Sequence, residues 1–204
     1  MPTMQFVRLP SDHTSGTKEG FPTPKAYVAD NDYALGRLVD AVSNSEFWKD
    51  TAIFVTEDDA QNGPDHVDAH RTVALAISPY TQTGTVDSTF YDSASMLRSM
   101  ELIAGVGPMT QFDAYATPMA PAFTQTPNPA PYALRTPTQA FDEVNTAAAP
   151  MAAESAQQDF TKEDRADENV LNQAIWKSVH GADSVMPSPQ HNVLAGGAAG
   201  DTDG

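Results

Sequence analysis

The stretch "TAIFVTEDDAQNGPDHVDAHRTVALAIS", Thr51 to Ser78, sets two apolar runs on either side of a loop crowded with acids and histidines. Neither run alternates apolar with polar residues, which predicts strands buried on both faces, as in a parallel sheet. Between them Glu57, Asp58 and Asp59 stand in a row with no basic neighbour, so the three carboxylates repel one another. A bound cation is the simplest offset to that repulsion. His66 and His70 follow at i, i+4, a spacing that places both on one face of a helix. Imidazole and carboxylate together suit zinc, manganese or iron rather than calcium alone. In open α/β sheets the strand ends are where ligands bind, because a rigid sheet there holds loops that reach solvent.

Working outward, Met4–Leu9 ("MQFVRL") predicts a short strand, and "SDHT" after it supplies a second acid–imidazole pair, Asp12 and His13. In a parallel sheet that pair would lie at the same edge as Asp58. "PTPKAYVADNDYALGRLVDAVSNSEFW" predicts a helix capped by Thr23 with Pro24 at its first position. Its apolar residues Tyr27, Val28, Leu35, Leu38, Val39 and Val42 recur at helical spacing. "DSASMLRSMELIAGVG" predicts a second helix, capped by Asp92 or Ser93 and ended by Gly105, with Met96, Leu97, Met100, Leu102 and Ile103 inward. The composition then changes to Pro, Thr and Ala, an irregular extension, before a helix that Thr161 can cap, with Val170, Leu171, Ile175 and Val179 on one face. The expected organisation is an α/β domain over residues 1–118, an irregular segment over 119–160, a helical segment over 161–190 and a disordered tail over 191–204.

Composition narrows the function. The 204 residues carry a net charge of −16, which disfavours nucleic acid and anionic membrane surfaces as partners. A phosphate substrate would be repelled too, unless bound cations reverse the local field. There is no cysteine, so thiolate metal sites and disulfides are excluded. No apolar run approaches the roughly 20 residues of a membrane helix, and the first residues carry no signal-peptide pattern. His180 and His191 stand away from any acid cluster and read as incidental.

"LPSDHTSG", "VADNDYALGRLVDAVSNSEFWKDTAIFVTEDDAQNGPDHVDAHR" and "ISPYTQTGTVDSTFYDSASMLRSMELIAG" together resemble the C-terminal half of alkaline phosphatase superfamily phosphoesterases. The likeness is to the bacterial branch of phospholipase C and acid phosphatases, some of which carry a YVTN-type β-propeller ahead of the phosphatase domain. It covers roughly residues 4–118, and "LNQAIWKSVHGADSVMP" is similar to the closing segment of such proteins. The resemblance implies a three-layer α/β/α sandwich of which this chain holds part, and hydrolysis of phosphate mono- or diesters with divalent metals, zinc or manganese, with calcium a further option. It implies Asp12, His13, Asp58, Asp59, His66 and His70 as metal ligands, with only one of the two later histidines required and no means here of choosing between them. Many relatives have Asp-His or Asp-Glu where this chain has Asp58-Asp59. Arg71 either holds a phosphate oxygen or offsets the neighbouring acids. The family's Ser or Thr nucleophile has no counterpart here, since nothing marks Thr14 or Ser15 for that role. The chain is therefore expected to be a truncated C-terminal part, weak or inactive alone, whose partner is the missing N-terminal half or a propeller domain. Relatives are commonly periplasmic or secreted. The alternatives are a non-catalytic metal-binding or interaction module, and an Asp-His-Ser hydrolase. The latter is disfavoured because triad members come from separate loops.

Overall fold

The computed structural model describes residues 2–58, 60, 62–162 and 165–191, with residue 12 described in its backbone alone. The elements are α1 (Pro24–Ser43), β1 (Ile53–Thr56), β2 (Ala74–Ile77), α2 (Ser93–Ala104), α3 (Gln111–Tyr115), α4 (Ala152–Ala156) and α5 (Glu168–His180). Mixed helix and sheet make this an α/β chain. It divides into two compact units, one of residues 1–8, 38–57 and 73–134, the other of residues 9–37, 58–72 and 135–204.

In the first unit β1 pairs with β2 antiparallel, Ile53 opposite Ile77 and Thr56 opposite Ala74. This corrects the parallel expectation. A parallel pair needs a crossover, usually a helix, to return the chain, and the described residues between these strands contain none. Nor are the strands buried on both faces: β1 is half-buried, and β2 starts exposed, with Leu75 40 % accessible. The predicted strand over Met4–Leu9 does not form among the described residues, and Phe6 and Val7 are exposed. A loop continues the sheet's support: Thr81 pairs with Phe123, and the Thr81 hydroxyl donates to the Ala76 carbonyl at 3.0 Å. Phe123 also meets Phe54 edge to face.

The capping signals hold. The Thr23 hydroxyl accepts the Ala26 N–H at 3.1 Å at the start of α1. Asp92, not Ser93, caps α2 by accepting the Ser95 N–H at 2.7 Å, and Ser95 reciprocates in a capping box. Gly105 ends α2 in the left-handed region, φ 70°. The expected inward face of α2 is displaced, however. Met96 is buried, but so are Ser95, Ser99 and Glu101, while Leu102 and Ile103 are exposed. Polar tethers explain the rotation: the Ser99 hydroxyl accepts the Met119 N–H at 2.8 Å, and a Glu101 carboxylate oxygen accepts the Met109 N–H at 3.2 Å. Asp113 accepts the same N–H at 2.6 Å and caps α3 with Thr110. The cap of the final helix is Asp167 rather than Thr161, because Asp167 accepts the Asn169 and Val170 N–H groups, and the helix begins at Glu168. The tail from Asn192 onward lies outside the described residues.

The second unit is closed by buried polar groups. The Asn145 amide donates to the Gly16, Phe21 and Pro22 carbonyls at 3.1–3.3 Å, and its backbone pairs with Gly20 and Phe21. Thr17, wholly buried, donates its hydroxyl to the Pro150 carbonyl at 2.6 Å and its N–H to the Ser155 hydroxyl at 3.1 Å. Gly16 sits at φ +62°, where a Cβ would lie 2.7 Å from Ser155 Oγ. A side chain there would be both strained and obstructed. Beside this network the apolar core is small: Ala26, Ala69, Leu171 and Ala174.

Two outcomes follow from these contacts. Asn145→Ala removes the side-chain donor from the Gly16 and Pro22 carbonyls, while the Phe21 carbonyl keeps the backbone N–H of residue 145, and should lower the unfolding free energy by roughly 1–3 kcal/mol, read from urea melts. No change in the urea midpoint would show that the network is not what closes this unit. The Asp113 carboxyl is held well below the usual carboxylate range, first by the Thr110 hydroxyl, against the opposing effect of burial. Its contribution to stability is therefore complete above the unfolded value of about 4 and is lost as pH falls toward the lower folded value. Asp113→Asn should flatten the acid limb of stability against pH below about pH 4. An unchanged limb would mean that another carboxyl governs it.

Candidate functional site

The candidate residues ride on the connection that follows β1. Thr56 is the last strand residue, and Asp58 stands exposed two positions on. Asp59 lies outside the described residues. Asn62 takes a left-handed backbone, φ 49°, which Asn tolerates better than most residues, and the chain turns there toward Pro64.

Beyond Pro64, Asp65 organises the loop. Its Oδ1 accepts the Val67 N–H at 2.7 Å and the Asp68 N–H at 3.0 Å. Its Oδ2 accepts Arg71 Nε at 3.1 Å and Nη2 at 2.9 Å, and Nη2 also reaches Oδ1 at 3.1 Å. These donors, Arg71 first, bring the Asp65 carboxyl down to about 2, so it is an anion at any neutral pH. The loop is also tied to the end of the chain: the Ala69 N–H donates to the Gln190 carbonyl at 2.8 Å, and the Gln190 N–H to the Asp65 carbonyl at 3.0 Å. Ala69 itself is buried.

His66 and His70 consequently do not share a helical face. Residues 65–70 form turns, because the Asp65 side chain takes backbone N–H groups and supplies a local alternative to a helix. The two rings have different surroundings. No described side chain hydrogen-bonds the exposed His66 ring. His70 Nδ1 lies 2.7 Å from Asp68 Oδ1, which also accepts the His70 N–H at 2.9 Å. The Asp68 carboxyl is lowered by the His70 backbone N–H first and the ring next, and it feels the charge of His191 as well. An ionised carboxylate only accepts, so Nδ1 carries a proton, and in the neutral ring Nε2 then keeps its lone pair.

The other candidates are placed less closely. His13 is exposed and follows a tight turn over Pro10–Asp12, its N–H donating to the Pro10 carbonyl at 3.3 Å. Among the described residues no strand precedes His13 to carry Asp12 and His13 to the sheet edge at Asp58, and the Asp12 side chain is not described. Among the described residues no three His, Asp or Glu side chains gather as a metal-holding group. Thr14 and Ser15 are both buried, and the Thr14 hydroxyl is occupied by the Gly16 N–H at 3.1 Å. His180 stacks on Trp176, ring centroids 3.9 Å apart.

Asp65, Asp68 and the Gln190–His191 segment are the residues that sequence reasoning missed. Asp68 carried a signal, an acid two positions before a histidine. The Gln190 pairing joins positions far apart in the chain and had none.

No helix among the described residues is long and apolar enough to cross a membrane. No curated protein and no solved structure matches the chain. A family model described as the Phosphoesterase family matches residues 1–107, a span that contains every candidate from Asp12 to Arg71. That span is more than half of the 204 residues, and the chain belongs to the phosphoesterase family.

Proposed function

We propose that this chain supplies the cation-gathering part of a divalent-metal-dependent phosphoesterase acting on phosphate mono- or diesters. The observation that carries the reading is the family match over residues 1–107, with the acid and histidine connection inside it. The donors are of the right kind for zinc or manganese: the carboxylates of Asp12, Asp58 and Asp59, and the imidazoles of His13, His66 and His70. The free Nε2 of His70 supports the fit, since metal-bound histidines characteristically give their other ring N–H to a carboxylate. When bound, the metal would hold phosphoryl oxygens and make the attacking hydroxyl more acidic.

The remaining roles belong to the chain's own groups. Asp65 engages Arg71 through Nε and Nη2. In this reading the rest of the guanidinium faces a phosphate oxygen, while the Asp65 pair keeps the loop in shape. The attacking hydroxyl is not assigned to Thr14 or Ser15, because both are buried. In this reading it comes instead from a companion segment, with or without a β-propeller. The same segment would extend β1 and β2 into an α/β/α sandwich. A lone two-stranded sheet is marginal in water, and exposed Val73 and Leu75 leave apolar surface to cover. The division at residues 118, 160 and 190 is retained as part of this proposal. The burial of Thr14 and Ser15 also favours a second reading, a metal-binding or interaction module without catalysis.

The purified chain, assayed on an aryl phosphate with zinc or manganese, should show little or no turnover. Robust hydrolysis abolished by a chelator would show that the chain holds its own nucleophile and would refute the companion segment. Zinc should nevertheless bind, and Asp58→Asn should weaken it at least about tenfold by calorimetry. Equal zinc affinity in both chains would remove Asp58 from the site.

A further inference from the structure

We propose that His70, rather than His66, is the imidazole that this loop offers to a divalent cation, through Nε2, and that Asp68 is the residue that positions it. The cation rests on the metal-dependent reading above; the orientation of the ring does not.

The geometry distinguishes the two histidines. His70 is fixed from several sides. Asp68 Oδ1 receives both its backbone N–H and its ring Nδ1–H, at 2.9 and 2.7 Å. Ala69 before it is buried and hydrogen-bonded to Gln190. Arg71 after it is clamped to Asp65, and its N–H donates to the Asp68 carbonyl at 3.1 Å. The ring remains 55 % accessible, so Nε2 is oriented and reachable at once. His66 has no side-chain partner among the described residues, and Val67 beside it is exposed. A ligand already held in one rotamer and one tautomer gives up less entropy on binding than a free ring does. The carboxylate behind Nδ1 also makes Nε2 a better electron donor. Asp65 and Arg71 act one step further out, holding the turn on which Asp68 and His70 meet.

The test reads the ring directly. In the full chain labelled with nitrogen-15, at a pH where the imidazoles are neutral, His70 should show a protonated Nδ1 and a bare Nε2. Asp68→Ala should move it toward the mixture of a free imidazole, in which the Nε2–H form predominates. Asp68→Asn, whose side-chain oxygen still accepts, should keep the native tautomer. Far-UV circular dichroism checks that each variant is folded. In zinc titrations Asp68→Ala and His70→Ala should each weaken binding by roughly 10–100-fold, and His66→Ala should leave it nearly unchanged. A ring spectrum unmoved by Asp68→Ala overturns the positioning role. A larger zinc loss in His66→Ala than in His70→Ala overturns the choice of ligand. Zinc binding to no chain, with the tautomer shift intact, removes the metal-dependent reading and leaves Asp68 as the residue that orients His70.

Discussion

One carboxylate governs the shape of the candidate site. Asp65 gathers two backbone N–H groups and the Nε–Nη2 edge of Arg71. Hydrogen bonds to an ionised acceptor are stronger than neutral ones, and a two-pronged guanidinium contact fixes direction as well as distance. Everything that the loop presents follows from this. Val67 and Asp68 are turned so that no helix forms, and Asp68 comes to lie beside His70. Arg71 is placed next to the histidine as a structural member, with only part of its donor set left for a substrate. A loop rich in negative charge gains an internal cation in Arg71.

The two units reach order by different means, and both lean on polar closure. In the first, the antiparallel pair is short and partly exposed, and the helix beyond it is tethered by Ser99 and Glu101 to the backbone of the following loop. In the second, Asn145, Thr17 and Ser155 stitch together segments more than a hundred residues apart in the chain. Buried polar groups are costly unless every one is paired, which makes such networks specific as well as cohesive. Next to this network Thr14 and Ser15 are buried, while His13 before them stays exposed.

Much was readable in residue order because it depends on neighbours. The caps at Thr23, Asp92 and Gly105, the helices that they bound, and the strand ending just before Asp58 are local matters of backbone donors, acceptors and side-chain period. The phosphoesterase assignment was legible for a similar reason, since its motifs lie in contiguous stretches within residues 1–107. The i, i+4 spacing of His66 and His70 misled because periodicity says nothing of a nearby acid able to capture the same N–H groups. The continuous apolar runs misled about sheet direction because burial pattern does not encode which way the next strand returns.

The sequence by itself determined the chemistry at hand: acids and imidazoles in one connection, no thiolate, a strongly negative surface, and helices with clear beginnings and ends. Tertiary structure decided what those groups face. It set β1 and β2 antiparallel, turned the polar side of α2 inward, and brought Gln190 to the loop at Ala69. It also gave His70 a side-chain partner that His66 lacks among the described residues. Each of these rests on hydrogen bonds whose geometry only the folded chain supplies, most between groups distant in sequence, and such pairings leave no periodic trace along the chain.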